Sequence, residues 1–189
     1  MLRQSYAEMF TPKELFFTKG VGRHKEKLAS FELALRDAHM AEFNLVRVSS
    51  IYPPRCKIVT PTEGRKKLAP GQILFVVLAE SSTNEPNRLI ASSIGVAIPR
   101  DTTKFGYLSE HHAYGITAKN AADYAEDLAA MMLASTLGIE YDEDITYDAR
   151  RDLWKLNKDI VRTRSVSQAA LGSSKGLWCT VVSAAVLIL

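Results

Sequence analysis

The sequence has little of what most site-bearing motifs require. Only two of its 189 residues are cysteine, Cys56 and Cys179, far apart and without C-x-x-C spacing. That excludes a dithiol redox motif and a cysteine-built zinc site, and predicts two buried free thiols in a reducing cytoplasm. No G-x-x-x-x-G-K-[ST], H-E-x-x-H or G-x-S-x-G run occurs, and Gly20-Val21-Gly22 is followed by Lys25 where a dinucleotide fingerprint needs glycine. No metal is expected. His111 and His112 are adjacent, and on a strand adjacent side chains point to opposite faces, so a surface or interface role is expected for them. The run Glu140-Tyr141-Asp142-Glu143-Asp144 lacks the alternating ligands and central glycine of a calcium loop.

Charge of one sign is also missing. Twenty-four Lys and Arg face 21 Asp and Glu, a net +3 with the signs interspersed, so no basic stripe points to a nucleic-acid partner. Arg65-Lys66-Lys67 reads as a solvated loop. Residues 1–10 contain no apolar core of a secretory signal. Residues 177–189 are apolar but fall short of the roughly 20 residues that span a bilayer, so a buried terminal strand or helix is expected, with no membrane association.

What is present is core-forming material, with 47% hydrophobic residues. Residues 1–14 read as a polar arm. Leu15-Phe16-Phe17-Thr18 reads as a short strand, and Lys19-Gly20-Val21-Gly22 as a turn. Residues 25–38 read as a helix whose face is Leu28, Phe31, Leu35 and His39, with Glu32 beside that stripe. Residues 44–49 read as a strand followed by a stiff exit at Pro53-Pro54. Residues 73–79, 89–98 and 105–109 read as strands joined by loops short enough for hairpins, and Ala91, Ser92, Ser93 and Gly95 make room for close packing. Residues 120–137 read as a helix capped by Asn120 and ended by Gly138, with a face of Ala121, Ala125, Leu128, Met132 and Thr136, and Met131 beside it. Residues 160–166 and 177–189 complete the strands. Strands with inserted helices, but no regular βαβ alternation, predict an α+β fold of one domain.

One segment carries chemistry. The run Asn44-Leu45-Val46-Arg47-Val48-Ser49-Ser50-Ile51-Tyr52-Pro53-Pro54 resembles the self-processing segment of pyruvoyl-dependent arginine decarboxylases. The resemblance continues in residues 30–38 (SFELALRDA), 94–101 (IGVAIPRD) and 106–112 (GYLSEHH), in the family's order and approximate spacing.

The resemblance implies a four-layer αββα sandwich assembled as a homotrimer or a dimer of trimers. It implies autocatalytic cleavage of a single domain, 1–189, between Ser49 and Ser50, giving a β chain (1–49) and an α chain (50–189). Ser50 attacks the Ser49 carbonyl and becomes a covalent pyruvoyl cofactor, which forms a Schiff base with the substrate amine. Asn44 matches the position implicated in processing, as a donor to the oxyanion. Glu110 matches the proton donor, a role that needs a raised pKa. Glu32 matches a contact to the substrate guanidinium, and the rival reading of its spacing is an i,i+4 pair with Arg36. The new carboxylate of Ser49 is a second substrate contact. The implied activity is L-arginine to agmatine and carbon dioxide. A histidine or lysine decarboxylase, or an unprocessed oligomeric binding protein, stays open at this stage.

Overall fold

A computed structural model describes residues 8–138 and 160–189. Most of the 1–14 arm and the 140–144 acidic run lie outside them. Among the described residues the elements in order are β1 (Glu14–His24), α1 (Lys27–Asp37), β2 (Asn44–Arg47), β3 (Ile51–Tyr52), β4 (Lys57–Ile58), α2 (Pro61–Arg65), β5 (Ile73–Thr83), β6 (Leu89–Pro99), β7 (Gly106–Tyr114), α3 (Ala118–Leu137), β8 (Ile160–Leu171) and β9 (Trp178–Ile188). The fold is mixed α+β. A five-stranded sheet has the order β2-β5-β9-β1-β4 and a four-stranded sheet the order β3-β7-β6-β8.

The C-terminal apolar run becomes the central strand of the larger sheet. β9 pairs antiparallel with β1, from Glu14↔Ile188 to His24↔Trp178, and with β5, from Phe75↔Leu187 to Thr83↔Cys179. Alternate β9 residues bury on opposite faces, as strand geometry requires. Val182, Ala184 and Val186 join Phe16, Ala34, Leu35, Leu74, Val76 and Leu78 under α1. Ala185 and Leu187 join Val77, Ala79, Ile94, Val96 and Leu108 between the two sheets. A strand buried on both faces has no polar side to display, which is why this run carries no charge.

Residues 19–22 are not a turn. They continue β1, and their glycines serve close packing instead of chain reversal. A Cβ on Gly20 would lie 2.2 Å from the Ala34 carbonyl oxygen, and one on Gly22 2.1 Å from that of Ser30. The helix therefore seats on β1 through Ser30, Ala34 and Leu35, while Leu28 stays 80% exposed and His39 falls beyond the helix. Thr18 Oγ1 donates to the Ala38 carbonyl at 2.7 Å, and Asp37 Oδ2 accepts from the Val21 N–H at 2.8 Å, tying the helix end to the strand.

The same device recurs on the smaller sheet. A Cβ on Gly95 would meet the Ala125 carbonyl oxygen at 2.1 Å, so the small residues of β6 do admit a helix. The buried side of α3 is Ala121, Ala125, Ala129, Ala130, Leu133 and Ala134, so Ala121 and Ala125 of the expected face are buried and Leu128, Met132 and Thr136 are not, because small side chains suit so close an approach to a strand. Thr117 caps α3 by accepting the Asn120 N–H, one turn earlier than expected, and Gly138 (φ 69°) ends it in the left-handed conformation.

Only one of the two expected hairpins forms. β6 and β7 pair antiparallel, and β7 runs on to Tyr114. β5 and β6 belong to different sheets, so residues 84–88 cross between sheets. Both cysteines are buried free thiols, and burial, then the charge of Glu14, pushes the Cys56 thiol up to about 12. Among the described residues no helix is long and apolar enough to cross a membrane.

In a strand with room, Gly→Ala gains a few tenths to about 1 kcal/mol. Gly20→Ala should instead lose about 2 kcal/mol, since the methyl meets helix backbone. Urea unfolding measures this. A neutral or stabilising result would mean that α1 does not sit on β1 as described.

Candidate active site

The segment 44–56 is built by a change of sheet. β2 runs parallel to β5, with Asn44↔Ile73 to Arg47↔Val76, and the Val48 N–H extends the ladder to the Val76 carbonyl at 3.0 Å. Two residues later the chain has joined the other sheet. The Leu108 N–H donates to the Ser50 carbonyl at 2.7 Å, and β3 pairs Ile51↔Tyr107 and Tyr52↔Gly106 with β7. The peptide bond between Ser49 and Ser50 thus bridges two sheets, with each side held by a different one. Between these anchors the Ile51 N–H donates to the Ser49 carbonyl at 3.1 Å.

Downstream, Pro53-Pro54 does stiffen the exit. The Cys56 N–H closes a turn onto the Pro53 carbonyl at 3.2 Å, with Arg55 at φ 60° in the third position. Proline second and a positive φ third is the type II pattern, though a non-glycine residue there carries strain. The Arg55 N–H reaches the Thr102 carbonyl at 2.7 Å, and the buried Tyr52 hydroxyl donates to the Cys56 carbonyl. Burial first, then Cys56, pushes the Tyr52 phenol up to about 12, so it remains a donor at any ordinary pH.

Glu110 lies two residues beyond Leu108 on β7, about 7 Å along the strand and on the same face. Burial raises its pKa above the usual carboxylate value, opposed by His112 and Arg47. His112 Nε2 stands 3.9 Å from Glu110 Oε2, and its Nδ1 lies 2.7 Å from the Glu80 carbonyl. Arg47 pairs with the Glu80 carboxylate. Arg47 thus acts on both Glu80 and Glu110, and burial remains the largest influence on the Glu110 carboxyl.

The expected opposition of the two histidines holds. His111 stacks on Tyr124 of α3, ring centroids 4.3 Å apart, while His112 faces β5. Sequence reasoning gave Arg47 and Glu80 no site role, and gave His112 only a surface or interface role. The only signal was strand alternation, which puts His112 on the face of Glu110.

Two sequence candidates sit apart from Ser50 within the chain. Asn44 is exposed at the start of β2, and its amide donates to the Gly71 carbonyl at 2.9 Å. About 13 Å of extended strand separates it from Val48. Glu32 is on α1, on the outer face of the larger sheet, in an i,i+4 pair with Arg36 at 3.0 Å.

Comparison with known proteins gives one consistent answer. The family model described as pyruvoyl-dependent arginine decarboxylase matches residues 14–189. The chain is 60% identical over 179 residues to a probable pyruvoyl-dependent arginine decarboxylase of Chloroherpeton thalassium, covering 95% of this chain and 98% of that one. It is 52% identical over 178 residues to the pyruvoyl-dependent arginine decarboxylase of Methanococcoides burtonii, covering 94% and 99%. It is 48% identical over 176 residues to that of Nitrosopumilus maritimus, covering 93% and 96%.

The raised Glu110 pKa has a stability consequence. A carboxyl that binds its proton more tightly folded than unfolded costs stability as pH rises through the window above the ordinary value of about 4.3. Glu110→Gln should gain stability relative to the natural chain near neutral pH, and the gain should shrink below about pH 4. Denaturation at both pH values measures it, and a pH-independent difference would refute the buried-acid reading.

Proposed function

Because the chain belongs to the pyruvoyl-dependent arginine decarboxylase family, we propose that it converts L-arginine to agmatine and carbon dioxide with a pyruvoyl group made from its own Ser50. The observation that carries the reading is the position of Ser49–Ser50, clamped between the Val76 and Leu108 ladders with the raised-pKa Glu110 next along the same strand.

Self-processing begins when Ser50 Oγ attacks the Ser49 carbonyl carbon. The C–N bond breaks, the hydroxyl proton passes to the Ser50 nitrogen, and an ester joins the two residues. Loss of the Ser50 Cα proton then expels Ser49 as a carboxylate. Water replaces the enamine nitrogen, and ammonia leaves. The anchors favour this course because strand pairing on both sides restrains the peptide against relaxing away from the nucleophile.

The residues present suit the product. The Ser50 carbonyl keeps its Leu108 N–H, which holds the cofactor's own amide in place. The pyruvoyl ketone supplies a carbonyl that condenses with the substrate amine as a Schiff base and accepts the electron pair released with carbon dioxide. Glu110 delivers a proton to the substrate carbon, and burial shifts its pKa in the direction that favours the protonated form. The Ser49 carboxylate meets a cationic end of the substrate.

Cleavage would leave residues 1–49 and 50–189 as one domain. β1 and β2 lie in the first piece, and their partners β4, β5 and β9 lie in the second. Helix on sheet, sheet on sheet and sheet on helix contacts support the four-layer αββα arrangement. Glu32 lies on the outside of that stack, so a contact to the guanidinium comes from a neighbouring copy in a trimer or a dimer of trimers.

Intact mass spectrometry under denaturing conditions should show two chains divided after Ser49, the larger lighter by one ammonia than a serine-ended chain. A single uncleaved 189-residue chain would leave a binding protein as the better reading. Glu32→Gln should cleave normally but raise KM for arginine about 10-fold or more, the loss of one charge-assisted contact. Unchanged KM and kcat would remove Glu32 from the site.

A further inference from the structure

Attack on the Ser49 carbonyl puts negative charge on its oxygen, and that charge needs a donor. The side chain indicated by sequence, Asn44, gives its amide to the Gly71 carbonyl and stands at the far end of β2. The donor that does reach the reacting oxygen is in the backbone. The Ile51 N–H is 3.1 Å from the Ser49 oxygen, an i→i+2 bond across Ser50. Ser50 is not among the residues with positive φ, which makes this an inverse γ-turn centred on the nucleophile.

The donor is aimed by its neighbour. In a planar trans peptide the C=O and N–H point in opposite directions. The Ser50–Ile51 peptide has its carbonyl fixed at 2.7 Å on the Leu108 N–H, so its own N–H is turned away from β7 and toward Ser49. On the other side, the Val48 N–H on Val76 fixes the approach of the chain. The small sheet aims the donor, and the large sheet presents the acceptor.

We propose that the Ile51 backbone N–H is the oxyanion donor for cleavage at Ser49–Ser50, aimed by the Leu108–Ser50 hydrogen bond. This rests on the self-processing reading above. In the step it assists, the Ser50 Oγ–C bond forms, the Ser49–Ser50 C–N bond breaks, and the hydroxyl proton moves to the Ser50 nitrogen. The donor stabilises the tetrahedral centre between the two events and is neither consumed nor titrated. The γ-turn also holds Ser50 folded over the carbonyl that its hydroxyl must reach.

The test replaces single backbone N–H groups by ester oxygen in the full chain. The α-hydroxy analogue of isoleucine is placed at position 51, and that of leucine at position 108 in a second chain. Cleavage is followed by intact mass. The ester at 51 should slow cleavage by about 100-fold or more, the cost of losing one oxyanion donor. The ester at 108 loosens the aim but leaves the donor, and should slow cleavage by less than a tenth of that factor. Cleavage of the 51 ester within a few-fold of the natural chain, or equal slowing by both esters, overturns the assignment.

A second measurement does not depend on turnover. In Ser50→Ala chains carrying a 13C label at the Ser49 carbonyl, the ester at 51 should move that carbonyl stretch to higher frequency, and an unmoved band would refute the contact. If the natural chain itself does not cleave, the self-processing reading falls, and the donor with it. Normal cleavage by both the natural chain and the 51 ester removes only the donor.

Discussion

The constraint on which the rest of this structure depends is the passage of one short segment between two sheets. Val48 is bonded to β5 and Ser50 to β7, so a single residue, Ser49, spans the change. Strand ladders are cooperative and rigid, and a segment held at both ends by different ladders has few conformations left. That is the physical setting an intramolecular acyl shift requires. It places the energetic burden on the sheets, whose pairing must be strong enough to keep the segment folded over itself.

The sheets in turn depend on helices that come unusually close. Gly20 and Gly22 on β1, and Gly95 on β6, leave space filled by helix backbone. Ser30 and Ala34 on α1, and Ala125 on α3, supply the matching small surfaces. Buried hydroxyls bridge the layers where apolar groups do not. Ser30 meets Thr180 at 2.7 Å, Ser109 donates to the Ala125 carbonyl at 2.5 Å, and Ser183 donates to the Ser92 carbonyl at 3.0 Å. Each satisfies a polar group that would otherwise be costly to bury. The result is a stiff scaffold whose β7 carries both the anchor of Ser50 and the carboxyl of Glu110.

Around Glu110 the electrostatics are divided by burial and pairing. His112 and Arg47 both favour the ionised carboxyl, but Arg47 also pairs with Glu80, and His112 is turned by its Nδ1 toward the β5 backbone. Desolvation then prevails and favours the proton. A carboxyl whose pKa is raised by burial suits protonation at carbon, the chemistry proposed for this site.

Sequence alone determined the family, through the 44–54 run and the three blocks that follow its order, and most strands and both long helices, because apolar periodicity and strand propensity are local properties. It also located the room made by Gly95, since small residues in a strand have few other uses. It misjudged Lys19–Gly22, where the glycines answer to a helix that is distant in sequence, and it found only part of each helix face: Phe31 and Leu35 of α1 and Ala121 and Ala125 of α3 pack inward, while Leu28, Leu128 and Met132 do not, because depth is set by the partner surface. Only the tertiary structure decided which strands share a sheet, and hence that the chain changes sheet at Ser49. It alone also set the Ile51 N–H on the Ser49 oxygen, since every residue carries a backbone N–H and its direction is fixed by long-range pairing.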